Sequence, residues 1–256
     1  MNNFARLGWK KFAFDPALSD WIKSVYPAAL EAVAAPENND WLQCEGTWFV
    51  GVDVLGNDAL GALPDGPVLS GAAFEFACQP FGNLPLHKGQ ISVIYPGYPK
   101  ARKGESDAAL NYRIKRDAAH LDGLKPRENK RRFMDEYHAY VLGISLTGSA
   151  QSPLVVWEGS HEVIREMLRD AFANLPQERW HEVDLTEAYT AARKQIFERC
   201  QRVEVPLERG EAYVVHRFAL HGVAPWTEGV EGPDEGRMIA YFRPDVTDRL
   251  AWLNEA

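Results

Sequence analysis

Ala118-Ala119-His120-Leu121-Asp122-Gly123 places an imidazole and a carboxylate two residues apart. In an extended backbone alternate side chains share a face, so His120 and Asp122 project together while Leu121 points away. A distant segment, His216-Arg217-Phe218-Ala219-Leu220-His221-Gly222, carries two further imidazoles. If His221 folds back beside the first pair, two imidazoles and one carboxylate occupy one side of a metal ion, leaving the opposite positions open. His216 is the rival to His221, because it ends an apolar stretch and could also look inward. His221 is preferred because the glycine after it permits a close backbone turn.

Around these two segments the chain reads as many short strands separated by turns. Trp41–Val54, Ile91–Tyr95, Asn111–Asp122, Tyr137–Leu146, Leu154–Trp157, Val203–Pro206, Tyr213–His216 and Met238–Phe242 have strand character. Tyr137–Leu146 and Leu154–Trp157, joined by Gly-Ser-Ala-Gln-Ser-Pro, are expected to pair as a central hairpin. Ala72–Ala77 is a short helix or a strand. Helical spacing occupies Pro16–Ala35, with Pro27 expected to kink or divide it, a segment beginning at Ser160 as cap, and Leu185–Cys200.

The pattern predicts a mainly β protein: a double-stranded β-helix of the jelly-roll or cupin-like kind with flanking α-helices. A single domain over 1–256 is expected. Residues 1–40 form a helical segment packed on the barrel, and 41–256 the jelly-roll core with a helical insertion at about 160–200. An alternating α/β sheet is the weaker alternative, since no regular alternation and no Gly-rich phosphate turn is present.

The 36 acidic residues outnumber the 28 basic ones. That balance argues against nucleic acid as a partner, which requires concentrated Lys and Arg. Cys44, Cys78 and Cys200 are odd in number and far apart, suggesting neither a disulfide framework nor a Cys-rich zinc site. With no signal-peptide-like run in Met1–Asp20 and no 18-residue apolar stretch, a cytoplasmic protein without a membrane partner is expected. Lys125–Arg132 reads as a mobile charged loop that is most simply a solvated surface. Its sharper reading is a lid whose cations recruit an anionic substrate.

From about Tyr112 to Pro244 the sequence resembles the phytanoyl-CoA dioxygenase-like branch of the Fe(II)/2-oxoglutarate oxygenases. The resemblance is carried by His120-Leu121-Asp122-Gly123, by a central strand ending in Trp157-Glu158-Gly159-Ser160-His161, by Gly210-Glu211, and by His221-Gly222 and Arg237. It implies His120, Asp122 and His221 as ligands of Fe(II), and Arg237 as the partner of the distal carboxylate of the co-substrate 2-oxoglutarate. An arginine fork suits that role through two parallel charge-assisted hydrogen bonds. Arg243 is the competitor, sharing strand parity with Arg237.

The implied activity is hydroxylation of a small molecule coupled to oxidative decarboxylation of 2-oxoglutarate to succinate. His87, His138, His161 and His181 are read as structural or surface residues. Two other functions compete: a non-catalytic metal-binding jelly roll or sensor, and a cupin-type enzyme that does not use 2-oxoglutarate. The expected partner is a small-molecule substrate, an anionic one on the lid reading of Lys125–Arg132.

Overall fold

The computed structural model describes residues 3–255. Residues 1 and 2 of the expected 1–40 segment, and residue 256 of the expected core, lie outside them. The first part of the chain forms α1 (Asn3–Leu7), β1 (Trp9–Phe12), α2 (Pro16–Ala34), β2 (Leu42–Gln43), β3 (Trp48–Phe49) and α3 (Ala72–Ala77). Then follow β4 (Gln90–Ile94), α4 (Asp107–Lys115), β5 (Leu124–Pro126), β6 (Arg132–Met134), β7 (Tyr140–Ser145), β8 (Ser149–Trp157), α5 (Ser160–Phe172) and α6 (Thr186–Arg199). The chain closes with β9 (Arg202–Leu207), β10 (Ala212–His216), β11 (His221–Val223), β12 (Arg237–Phe242) and α7 (Arg249–Asn254). No helix among the described residues is long and apolar enough to cross a membrane.

The fold is mainly β, of the jelly-roll class. A seven-stranded antiparallel sheet in the order β1-β10-β7-β12-β4-β3-β2 is accompanied by a three-stranded sheet, β11-β8-β9. Strand alternation divides the apolar residues into two sets. Val141, Leu154, Val156, Tyr213, Val215 and Ile239 form one buried cluster joining residues of both sheets, which places them on the inner faces. Their neighbours Leu142, Val214, Met238, Ala240 and Phe242 point outward and pack in the larger core that includes Leu18, Trp21, Ile22 and Val25 of α2. Trp21 is fully buried, lies edge-on to Phe242 at 5.9 Å, and donates its indole N–H to the Gly61 carbonyl at 2.7 Å. Side chains of this size each contribute about 1.5–3 kcal/mol when removed from water.

Several expectations are corrected. Tyr140–Ser145 and Ser149–Trp157 do not form a hairpin: β7 pairs with β10 and β12, whereas β8 pairs with β9 and β11. The turn between them carries the chain from one sheet to the other. Helix α2 runs unbroken through Pro27, because its buried stripe of Leu18, Trp21, Ile22, Val25 and Ala29 anchors both sides of the proline. Ala72–Ala77 resolves as helix. The expected strand over Asn111–Asp122 is instead α4 followed by a turn, and Ser106 accepts from the Ala109 N–H to start that helix.

Lys125–Arg132 is a small hairpin of β5 and β6 whose cations are largely paired. Lys125 bonds Glu136, Arg127 bonds Asp135, and Arg131 bonds Asp184 and Glu187.

Candidate metal centre

The two ligand-bearing segments are held together by their backbones. His120 N–H donates to the His221 carbonyl at 2.8 Å, and His221 N–H to that of His120 at 3.2 Å. On the other side His221 is in register with Val156 of β8, so it shares the inner face with that residue. The approach is close enough that glycine is required after each ligand segment. A Cβ on Gly222 would lie 2.0 Å from the Asp117 carbonyl oxygen, and one on Gly123 (φ +80°) 2.2 Å from that of Glu136. Ser160 is the first residue of α5 rather than its cap. Its hydroxyl accepts from the Leu220 N–H at 2.9 Å, which fixes the turn before His221.

Ligand atoms of His120, Asp122 and His221 all lie within 4.8 Å of one another. His120 Nε2 is 3.2 Å from one Asp122 oxygen and His221 Nε2 is 3.6 Å from the other. The imidazole Nδ1 atoms face carbonyls two residues back, Ala118 at 3.1 Å and Ala219 at 2.9 Å. Each Nδ1 therefore carries the proton in the neutral ring, leaving both Nε2 lone pairs aimed at the carboxylate. Three electron-pair donors converge there, and only a cation, whether a proton or a metal ion, satisfies them. This donor set fits a divalent metal with three protein ligands.

The electrostatics agree. Burial would raise the Asp122 carboxyl, but Arg243, His221 and His120 hold it well below the ordinary range, as the carboxylate a metal needs. Desolvation would lower the His120 pKa, yet the hydrogen bond to Asp122 and its charge raise it. The Asp122 and His221 side chains are 9% and 8% exposed, whereas His120 is 52% exposed and forms the solvent side of the group.

The two arginines weighed from the sequence sit at opposite ends of β12, six residues or roughly 20 Å apart along the strand. Arg243 Nη1 is 3.2 Å from Asp122 Oδ2, and its Nη2 bonds Gln90. Arg237 is buried where β12 pairs with Ile94, on the same inner face as Ile239, and its Nη1 has no hydrogen-bond partner among the described residues. Nearby, the Tyr213 and Tyr241 hydroxyls bond each other at 2.6 Å. The contact of Arg243 with the triad had no sequence signal beyond its shared parity with Arg237.

His216 is directed elsewhere. Its ring lies tilted beside that of His161 at 4.8 Å, its Nδ1 accepts from the Phe218 N–H, and its Nε2 lies 2.9 Å from Arg165. Burial first, and then the charge of Arg217, push its pKa well below the usual value. His138 sits between Glu136 and Asp245, and His87 accepts from the Arg243 N–H.

No family model matches the sequence, and no curated protein matches it. Solved structures similar to it include AviO1 from Streptomyces viridochromogenes Tue57, at 14% identity and TM-score 0.43, covering 96% of this chain and 93% of that one. Another is EctD from S. alaskensis with 2-oxoglutarate and 5-hydroxyectoine, at 15% identity and TM-score 0.46, over 95% and 74% of the two chains. A third is HygX from Streptomyces hygroscopicus with nickel, 2-oxoglutarate and hygromycin B, at 14% and 0.41, over 96% and 85%.

Proposed function

We propose that the protein is an Fe(II)- and 2-oxoglutarate-dependent oxygenase that hydroxylates a small molecule, with His120, Asp122 and His221 holding the iron. The observation that carries this reading is the convergence of two Nε2 lone pairs and one carboxylate within 4.8 Å, with nothing but a cation able to join them. Arg237 is the better partner for the distal carboxylate of 2-oxoglutarate, because it is buried with an unfilled donor, while Arg243 is already engaged with Asp122 and Gln90. When bound, iron and 2-oxoglutarate supply oxidative decarboxylation coupled to oxidation of a C–H bond.

The chain's own residues prepare that chemistry. The carbonyls of Ala118 and Ala219 fix both imidazole tautomers. Arg243 orients Asp122 and keeps it ionised. Val156 and the inner-face cluster close one side against water.

Anaerobic titration of Fe(II) and 2-oxoglutarate into the apoprotein tests this, by the weak visible band of the iron chelate. Wild type is expected to show the band and His221→Ala to lose it. Arg237→Ala should keep iron but weaken 2-oxoglutarate by about tenfold or more, the loss of a charge-assisted pair. Iron binding without any band would favour the metal-sensor or cupin-type alternative.

A further inference from the structure

In a chain where acids outnumber bases 36 to 28, several cations near the metal centre have found acids, whereas Arg132 and Arg193 have not. Arg113 is bonded to Glu105 at 2.5 Å, and Lys125, Arg127 and Arg131 are paired as described. Arg132 and Arg193 form no ion pair among the described residues; they lie against tyrosine rings instead. Arg193 is 5.0 Å from the Tyr112 ring centroid and 5.2 Å from that of Tyr189, and Arg132 is 5.8 Å from Tyr189. Arg193 Nη1 also donates to the Tyr112 hydroxyl at 3.2 Å, and that hydroxyl donates to the Ala119 carbonyl at 2.8 Å. These four side chains line a cleft of about 380 Å3 whose wall includes His120 and Leu121.

We infer that this cleft binds the anionic end of the substrate, a carboxylate or phosphate held between Arg132 and Arg193, with the body of the molecule against Tyr112 and Tyr189 and next to His120. The inference rests on the oxygenase reading for the role of the metal, but anion binding by the cleft does not. A guanidinium held over an aromatic ring has already lost part of its side-chain freedom, so less is lost when an oxyanion arrives. The surrounding net negative charge disfavours anions over most of the surface, so a basic concavity gives a local preference instead of general stickiness. Tyr112 ties one of the two guanidiniums to Ala119, the residue preceding His120, so the anchor is linked to the His120 segment through two hydrogen bonds.

The test titrates phenyl phosphate, phenylacetate and neutral 2-phenylethanol into the metal-free protein, followed by calorimetry. Saturable binding of at least one anion is expected, with the neutral analogue much weaker; the stronger anion distinguishes phosphate from carboxylate recognition. Arg132→Gln and Arg193→Gln should each weaken it by about tenfold or more. Ala109→Trp, on the exposed face of α4 at the cleft, should block it without touching the core. Lys130→Gln should leave it unchanged.

Absence of saturable binding, equal binding of the neutral analogue, or wild-type binding in both arginine variants would overturn the anion site. Mn(II) added to the protein with the anion bound should speed relaxation of the probe's protons. If Mn(II) binds and relaxation is unaltered, the cleft does not serve the metal centre and the substrate assignment falls. If Mn(II) fails to bind, the metal reading fails and takes the substrate assignment with it, and calorimetry still decides whether the cleft binds anions.

Discussion

Two pairs of imidazoles sit at nearly the same spacing in this molecule and are opposite in character. His120 and His221, with ring centroids 4.6 Å apart, share the carboxylate of Asp122. His161 and His216, 4.8 Å apart, lose proton affinity first to burial and then to the charges of Arg165 and Arg217, and the carboxylate beside His161, that of exposed Glu162, is itself bonded by Arg165. The first pair attracts a cation, and the second repels one. Ring spacing is therefore silent about metal binding; what decides is the charge of the third partner and which nitrogen has been left free.

The largest effect expected from this contrast comes from removing ligands. His221→Ala or Asp122→Ala should lower Fe(II) affinity by about a hundredfold or more, while His216→Ala leaves it within about twofold. Because His216 is buried and hydrogen-bonded, its loss should instead lower the unfolding midpoint by about 2–6 °C. Equilibrium dialysis with thermal unfolding separates the two, and the reverse pattern would invalidate the assignment of the pairs.

A smaller effect concerns pH. Metal binding requires neutral rings, and Asp122 makes His120 hold its proton more strongly than a free imidazole. Iron affinity should therefore decline as pH falls, starting above the ordinary histidine value of about 6.5 and steepening to about tenfold per unit for each proton displaced. Replacing His161 should not move that profile.

The smallest concerns a histidine that belongs to neither pair. His138 is mostly buried, and burial would lower its pKa, but Asp245 and Glu136 raise it to about 9. A group raised in the folded state stabilises fully below its unfolded value near 6.5 and loses that contribution as pH climbs through about 9. Denaturant titrations should show stability falling by about 1 kcal/mol over that window, the figure being reduced by the exposure of Asp245. His138→Gln should flatten it.

The parts legible in the sequence were those whose signal is local. His120 and Asp122 are two residues apart, His221 is followed by a glycine that the Asp117 carbonyl demands, and β10 and β12 are short, mostly apolar runs of the kind strands buried on both faces show. The false hairpin of β7 and β8 arose because Ser149–Pro153 has turn composition but belongs to β8, and the actual connection, Leu146–Gly148, crosses to the facing sheet. Helix α4 was hidden because its only buried residue is Arg113, so no apolar stripe marked it, and the Ser106 cap alone was overlooked. The pairing of Arg243 with Asp122 spans 121 residues and depends on closure of the barrel, which no local pattern announces. The same holds for Arg132 and Arg193, brought together from β6 and α6.

The two-way backbone pairing of His120 with His221 also sets an order of events during synthesis. The ribosome delivers the first imidazole and the carboxylate about a hundred residues before the second imidazole, and the arginine that steadies the carboxylate later still. An emerging chain that has not yet reached residue 221 presents one histidine and one acid, a combination too weak to retain iron. On the proposed reading of these residues as iron ligands, uptake of the ion would be deferred until the two segments have joined.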